Sequence, residues 1–552
     1  MIRLNIKWPI KTELQVEQKS DKVLSVYAPY NQLLFQEFSS MVGYRWDKEK
    51  KCYHISDCTR NHVQLMLMKG DNPFEIFDKK LLDITPNRKV LLPHQVTMLS
   101  HAITRTQPGI MGGTLIAGDM GVGKTLAIIE YIEYLESQGI KNIWYIAPKS
   151  ALNPYAGIPA EKRKWGNNSK IIFFTYEQFT KAVTENFSKY DIPQAVIFDE
   201  SSKLKNPTAK RSQAALGLST LMREKGYNNI VMMSGTPSPK NPTDWWSQCE
   251  IGAPGLLRES NITKLKARLA NIEMRDGIHG KYPHLISWKE DEVELLYRRM
   301  AGFVLRIRRE DCLKLPECTS IDYYIKPTAE LLQVAKTINN STVGTLEKLQ
   351  KLRQLSDGFQ YTDDNNLGYH WGGSPKMDIL NEILEEAEDR IVVYAGYTAA
   401  IDKIVENIIN QGWSVIRIDG RGWQGYSPKK TLSGYTAITN NSLNEEYFQN
   451  RNNEEPIAIV AHPKSGGMSL NFTASNIMVF YSCDFDGEAF MQASKRTDRL
   501  GQTRTNKIYH LIHLPTDELI LTNLRNKIEL QAISLGDFDK VYNEVKNKYQ
   551  ES

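Results

Sequence analysis

The sequence predicts an α/β protein built from two parallel-sheet lobes with helical insertions, preceded by a small α+β domain. Three observations predict it. From about 85 to 250, the short apolar runs "TLIAGD", "NIWYIAP", "KIIFFTY", "AVIFDE" and "NIVMMSG" alternate with amphipathic stretches. Each run ends in a small or charged residue, as strands buried on both faces do where loops leave their C-terminal edge. The same rhythm returns after about 375 in "RIVVYAG", "WSVIRIDG", "PIAIVAH", "NIMVFYS" and "KIYHLIHL". Two such series in one chain imply two lobes with a cleft between them. Residues 1–84 instead mix alternating strands with a helix, until "DITPNRK" breaks the pattern.

The boundaries follow from these shifts. Residues 1–84 form the small N-terminal domain, 85–255 the first lobe, and 375–552 the second lobe with C-terminal helices. Between them, 256–374 reads as helical, with basic patches at "LYRRM" and "VLRIRRED". The stretch 421–442, rich in Gly, Ser, Thr and Asn, predicts a long loop.

A chain of 552 residues is too long for one core, so several domains are expected. Lys plus Arg exceed Asp plus Glu by 69 to 64, a weak lean toward polyanionic partners. No run of eighteen apolar residues occurs, and "MIRLNIKWPIKTEL" alternates like a strand rather than a leader. A cytoplasmic protein with no membrane partner is therefore expected, in a bacterial or phage-infected cell. Six scattered cysteines agree with a reducing compartment. Cys52, His54, Cys58 and His62 lie close together, but "KKCYHISD" alternates as a strand and lacks the paired spacing of structural zinc.

Chemistry enters at the turn Gly118-Asp119-Met120-Gly121-Val122-Gly123-Lys124-Thr125, which fits G-x-x-x-x-G-K-[ST] between a strand and a helix. Gly118, Gly121 and Gly123 let backbone N–H groups converge on phosphate oxygens, and the helix N-terminus adds partial positive charge. Lys124 reaches the β- and γ-phosphates, and the Thr125 hydroxyl binds Mg²⁺. About 75 residues later, "AVIFDES" places Asp199 and Glu200 at a strand end. Asp199 suits the metal, and Glu200 the polarisation of an attacking water. ATP and Mg²⁺ are the cofactors expected.

Further elements face the same cleft. "MMSGTP" puts Ser234, Gly235, Thr236 and Pro237 at another strand end, and "LLPHQ" offers the Gln95 amide to adenine. In the second lobe, Gln492, Arg496 and Arg499 share one helix face. Two arginines aimed across the cleft stabilise charge on the γ-phosphoryl group only when the lobes close.

With these motifs in order, the chain resembles the Swi/Snf-type ATPases of helicase superfamily two. The likeness runs from "LLPHQ" and "GDMGVGKT" through "IAPKS", "FFTYEQF", "DESSKLKN", "MSGTP", "FVLRIRREDCLKLP" and "SGGMSLNFTAS" to "QASKRTDRLGQ", roughly residues 88 to 515. The resemblance implies two RecA-like lobes and ATP-driven tracking along duplex or branched DNA, in replication, recombination or repair. Replication or recombination proteins are then possible partners. It places Lys149, Tyr176, Lys464 and the Gly466-Gly467 turn near the DNA backbone.

The chain also departs from that family. Ser202 stands where a histidine usually couples the lobes. Pro463 stands where a DNA-contacting threonine is usual, and "CDFDGEAFMQA" lacks Trp-Asn-Pro. These departures bear on coupling rather than on ATP chemistry. Two alternatives share the motor: a strand-separating helicase, and a remodeller that displaces proteins such as RNA polymerase from DNA.

The N-terminal piece loosely resembles the HARP-type module found beside the motor in annealing helicases. Lys48, Lys50 and Lys51 would face phosphate, with Tyr44 and Trp46 available for stacking on a base. Residues 1–84 hold none of the hydrolysis residues, so the lobes are expected to form a complete ATPase without them.

Overall fold

A computed structural model describes residues 12–20, 22–29, 31–69, 91–106, 113–152, 154, 157–235, 241–277, 280–361, 367–370, 375–432, 434–453, 455–466, 470–499 and 501–529. The opening "MIRLNIKWPI" and the boundary near 84 lie outside the described residues.

The N-terminal domain pairs β1 (Gln15–Ser20), β2 (Val23–Tyr27), β3 (Arg45–Asp47) and β4 (Cys52–Ser56) in the antiparallel order β1-β2-β4-β3. Helices Gln32–Ser39 and Thr59–Lys69 accompany the sheet. Leu34, Phe38, Leu65 and Met68 from the helices meet Leu24, Val26, Tyr53 and Ile55 from the strands. The domain is not a loose appendage. Val63, on the second helix, belongs to the core of the first lobe. Arg60 donates to Glu250 at 2.5 Å, Arg258 pairs with Glu37 at 2.7 Å, and Gln64 donates to the Arg258 carbonyl at 2.8 Å.

Removing 1–84 would therefore expose apolar surface and strand buried charges, which the sequence alone does not reveal. Arg60→Ala tests this with a single residue. Leaving the Glu250 carboxylate without its cation should cost about 3–5 kcal/mol, as for other broken buried pairs. The expected result is a lower melting temperature with unchanged ATPase kcat per folded molecule. An unchanged melting temperature would show the two units to be energetically independent.

In the first lobe, β5 (Thr114–Gly118), β6 (Ile143–Ala147), β7 (Ile171–Thr175), β8 (Ala195–Asp199) and β9 (Asn229–Ser234) form where the apolar runs predict them. A separate antiparallel hairpin follows, β10 (Ala270–Gly277) and β11 (Gly280–Trp288), and then β12 (Val304–Ile307). The parallel sheet runs β12-β5-β9-β8-β6-β7. Period-two alternation sends Leu115, Ala117, Trp144 and Ile146 to one face and Ile116, Ile143 and Tyr145 to the other. Helices cover both faces, so both sets are buried.

The second lobe contains β13 (Cys318–Tyr324), the small hairpin β14 (Phe359–Tyr361) and β15 (Leu367–His370), then β16 (Arg390–Tyr394) and β17 (Ser414–Asp419). β18 (Gly422–Thr431), β19 (Gly434–Thr439), β20 (Ile457–Ala461), β21 (Ile477–Phe480) and β22 (Asn506–Ile512) complete it. Its sheet order is β13-β22-β21-β16-β20-β17-β18-β19, antiparallel only at β17-β18-β19.

Two expectations are corrected here. The region read as helical, 256–374, contributes β12 to the first sheet and β13 to the second, besides the β10–β11 hairpin. β12 escapes notice because it has four residues and an arginine in its middle, yet its backbone completes the edge beside β5. The predicted loop 421–442 is largely the β18–β19 hairpin, whose turn-like composition is tolerated because β17 offers a free edge to pair with. No helix among the described residues is long and apolar enough to cross a membrane.

Candidate nucleotide site and inter-lobe cleft

The phosphate loop leaves β5 at Gly118 and enters the helix Lys124–Ser137. Gly121 and Gly123 adopt φ of +84° and +77°, left-handed values that side chains resist. Space is restricted as well: a Cβ on Gly123 would lie 2.2 Å from Gln95 Nε2, and one on Gly121 3.1 Å from Arg499 Cγ. The Lys124 ammonium donates to the carbonyls of Gly118 at 2.7 Å and Asp119 at 3.1 Å. Burial lowers its pKa, while Glu200, Asp199 and Asp119 oppose that shift. Thr125 follows in the helix's first turn.

Gln95 sits against this loop. Its Oε1 accepts from Leu92 N at 2.9 Å and its Nε2 donates to Gly123 O at 3.1 Å, with the side chain buried. The amide braces the loop rather than standing open for adenine.

Asp199 ends β8, and Glu200 follows in a left-handed conformation at φ +55°. That geometry costs a non-glycine residue about 1–2 kcal/mol, and strain of this kind gathers at functional sites. Tyr176 helps hold it, its hydroxyl donating to Asp199 O at 2.8 Å and Glu200 O at 3.3 Å. Tyr145 donates to Asp199 Oδ2 at 3.0 Å, and Ser234 to Glu200 Oε2 at 3.3 Å. Burial pushes the Glu200 carboxyl up to about 7; Lys124 pulls it down, while Asp199 and Glu488 push it further up. A carboxyl near neutrality is suited to accept a proton from water. Thr236 and Pro237 lie outside the described residues.

The second lobe reaches this site. Arg496 is buried and donates to Leu470 O at 2.9 Å; Arg499 donates to the same carbonyl at 2.8 Å and to Lys495 O at 3.1 Å. Burial lowers both pKa values, that of Arg496 to about 10, with Glu200 among the carboxylates that counter it. Gln492 is buried too, but its amide faces Glu488 at 3.4 Å.

A second contact joins the lobes through residues that motif reading passed over. Asp119, inside the phosphate loop, accepts from Arg306 at 2.6 Å and from Arg309 N at 2.9 Å. The Arg309 side chain pairs in turn with Asp498, which lies between the two arginines and is buried. An acid within an anion-binding loop needs a cation beside it, and that was the available signal.

Between the lobes lies a cleft of about 2190 Å³ whose walls include Lys149, Arg163, Lys164, Lys203, Arg211 and Lys464. Lys149 is exposed there, as is Lys464, which also pairs with Asp484 at 3.1 Å and Asp486 at 3.6 Å. Tyr176 lines the same wall, with its hydroxyl donating to the Asp199 and Glu200 carbonyls. Gly466 ends the short helix Pro463–Gly466, and Gly467 lies outside the described residues. On the N-terminal domain, Trp46 is exposed and lies 4.7 Å from the Tyr53 ring, while Tyr44 meets Phe35 edge-on at 6.1 Å. Lys48, Lys50 and Lys51 are exposed on the adjoining turn, ordered by Asp47 accepting from Glu49 N and Lys50 N at 3.0 Å each.

The donor set fits a nucleoside triphosphate with magnesium. Thr125 and Asp199 supply hard oxygens for the metal, and the glycine turn and Lys124 suit phosphate. Zinc is a poor fit at the other candidate cluster. Asp47, Cys52 and His54 converge, yet the Lys19 ammonium stands 2.9 Å from His54 Nε2, where its charge opposes a cation.

Comparisons with known proteins show what the chain is similar to. The family described as helicase conserved C-terminal domain matches residues 375–501. The CHD3-type chromatin-remodeling factor CHR7 of Arabidopsis thaliana is 21% identical over 510 residues, covering 83% of this chain and 38% of that protein. The human SWI/SNF-related matrix-associated actin-dependent regulator of chromatin subfamily A member 1 is 23% identical over 508 residues, covering 80% and 43% respectively. The chain thus spans about two-fifths of the length of these curated relatives. Among solved structures, the Sulfolobus solfataricus SWI2/SNF2 ATPase core in complex with dsDNA is 23% identical, with a TM-score of 0.36, covering 83% of this chain and 96% of that one.

Proposed function

We propose, from the premise that this chain is a Swi/Snf-type helicase-like ATPase of superfamily two, that it is a DNA-dependent ATPase that moves along duplex or branched DNA. The observation that carries the reading is the approach of Arg496 and Arg499 to the phosphate loop and Glu200 from the opposite lobe. A site split between two lobes can hydrolyse ATP only when they close, which makes hydrolysis a mechanical event.

Each residue then has a task. Lys124 and the loop's N–H groups hold the β- and γ-phosphates, and Thr125 and Asp199 hold magnesium, which when bound offsets phosphate charge. Glu200 orients the attacking water and takes its proton. Arg496 and Arg499 turn from the Leu470 carbonyl toward the γ-phosphoryl group as its charge spreads. Lys149 and Lys464, on opposite walls, grip the DNA backbone, so opening and closing of the cleft advances one grip relative to the other. We place this activity in replication, recombination or repair, in the cytoplasm of a bacterial or phage-infected cell.

The deciding experiment measures ATPase rate in parallel with no nucleic acid, single strand, duplex, fork and RNA. Duplex or fork should stimulate most. Stimulation should weaken steeply with salt, because each neutralised phosphate contributes about 0.9 to the log–log slope. Base sequence should matter little, since lysines on phosphates carry no base information. Stimulation by RNA alone, or by no nucleic acid, would refute the reading.

A further inference from the structure

We propose that Glu488 is a positioning residue that couples the two lobes, accepting hydrogen bonds from Ser202 of the first lobe and Gln492 of the second. The inference rests on the motor reading and adds to it a residue that the motifs do not contain. Three donors converge on one oxygen of Glu488: Ser202 Oγ at 3.3 Å, Gln492 Nε2 at 3.4 Å, and Lys203 Nζ at 3.6 Å. Ser202 and Lys203 lie two and three residues after Glu200, on the turn Ser201–Leu204. Gln492 lies in the helix Gly487–Ser494, four residues before Arg496; Arg496 and Arg499 follow the end of that helix, which corrects the expectation that the three share one helix face. The carboxylate therefore bridges the water-activating segment and the arginine-bearing segment.

Its own placement is rigid. The helix Gly487–Ser494 is capped by Asp486, which accepts from Ala489 N at 3.1 Å. Glu488 lies in the first turn, where the helix dipole favours a negative charge. A surface acid at a helix start would face water. This one is only 26% exposed at its side chain and opposes the lysine of the other lobe. Ser202, its partner across the lobes, is 3% exposed. The contact spans 286 residues of sequence, so only lobe-to-lobe docking forms it.

A serine is too short to cross such a gap alone; the glutamate supplies the missing length. Closing the cleft thus sets Glu200 and the arginines in register through one carboxylate. Such a bridge acts on the committed, closed state, so it should influence turnover more than nucleotide affinity.

The test compares wild type, Glu488→Ala, Glu488→Gln, Ser202→Ala and the double variant Ser202→Ala/Glu488→Ala. The readouts are kcat with saturating duplex, KM for ATP, the Kd of a fluorescent ATP analogue, and melting temperature. Glu488→Ala should lower kcat by roughly 10-fold with Kd within two-fold, a loss of closed-state contact only. Glu488→Gln keeps an acceptor oxygen for Ser202 and should recover part of that loss. The double variant should be no slower than Glu488→Ala, because the two residues serve one contact. Equal kcat for wild type and Glu488→Ala, or a double variant as slow as the product of the two single losses, would overturn the proposal. Should Glu488→Ala fail to fold, Ser202→Ala and Glu488→Gln still decide it: unchanged kcat in both would refute it. Absence of ATPase in wild type would instead refute the motor reading itself.

Discussion

Lys124→Ala is expected to abolish ATP turnover while leaving the fold and most DNA binding intact. The ammonium stands at the start of the helix Lys124–Ser137, within the loop, with Glu200, Asp199 and Asp119 as the charges acting on it. Removing it withdraws the cation from the β- and γ-phosphates at the point where charge develops. The loss of a single preorganised donor typically costs about 10²–10³-fold in kcat. Here a second loss adds to it: without Lys124, the carboxyls of Asp199 and Glu200, already raised by burial, lose the cation that lowers them. Metal binding by Asp199 would weaken with it.

Folding should survive because alanine is a good helix former, and the two carbonyls that lose a donor lie at the end of β5 (Gly118) and in the loop after it (Asp119), outside the paired strands' interior. Lys149 and Lys464, in the inter-lobe cleft, are untouched. ATPase rate, analogue Kd and duplex affinity measured together check the prediction. Turnover within a few-fold of wild type would remove this loop from the active site.

The residues proposed to act on phosphate were legible because phosphate chemistry demands them in consecutive order. Gly118 to Thr125 form one turn, and Asp199-Glu200 one strand end, so spacing and apolar context suffice to find them. Four of the five first-lobe strands were legible for a similar reason: both faces are covered, so nearly every residue in them is apolar, whereas the edge strand β7 keeps an apolar run with Ile172 exposed. β12 was not legible, because a four-residue edge strand with Arg306 in it lacks that pattern. The couplings between lobes were hidden for a different reason. Glu488 with Ser202, and Arg309 with Asp498, are pairs 286 and 189 residues apart. Each residue alone reads as a solvated charge on a helix or loop. Tyr176 illustrates the converse: its motif suggests a place near DNA, while the structure shows its hydroxyl turned inward to the Asp199 carbonyl.

Arg496→Ala and Arg499→Ala should each reduce kcat by roughly 10³-fold or more, the usual contribution of an arginine supplied to a γ-phosphoryl group. ATP binding should remain comparable, since the loop, Lys124 and Thr125 are intact. The two arginines are not equivalent in the structure. Arg499 lies against Gly121 of the phosphate loop, where a Cβ would come within 3.1 Å of its Cγ. Arg496 is more deeply buried, and Glu200 is among the carboxylates that act on it. Both donate to the Leu470 carbonyl, so either substitution leaves that acceptor one remaining guanidinium. This shared acceptor limits the structural damage of a single change and makes the double variant the less informative one. Melting temperature separates a folding defect from a catalytic one. Arg→Lys at each position adds a further test: lysine keeps the charge but loses the planar fork, so it should recover only part of the lost rate. If neither alanine variant slows hydrolysis, the second lobe does not complete the site, and the link between hydrolysis and lobe closure fails with it.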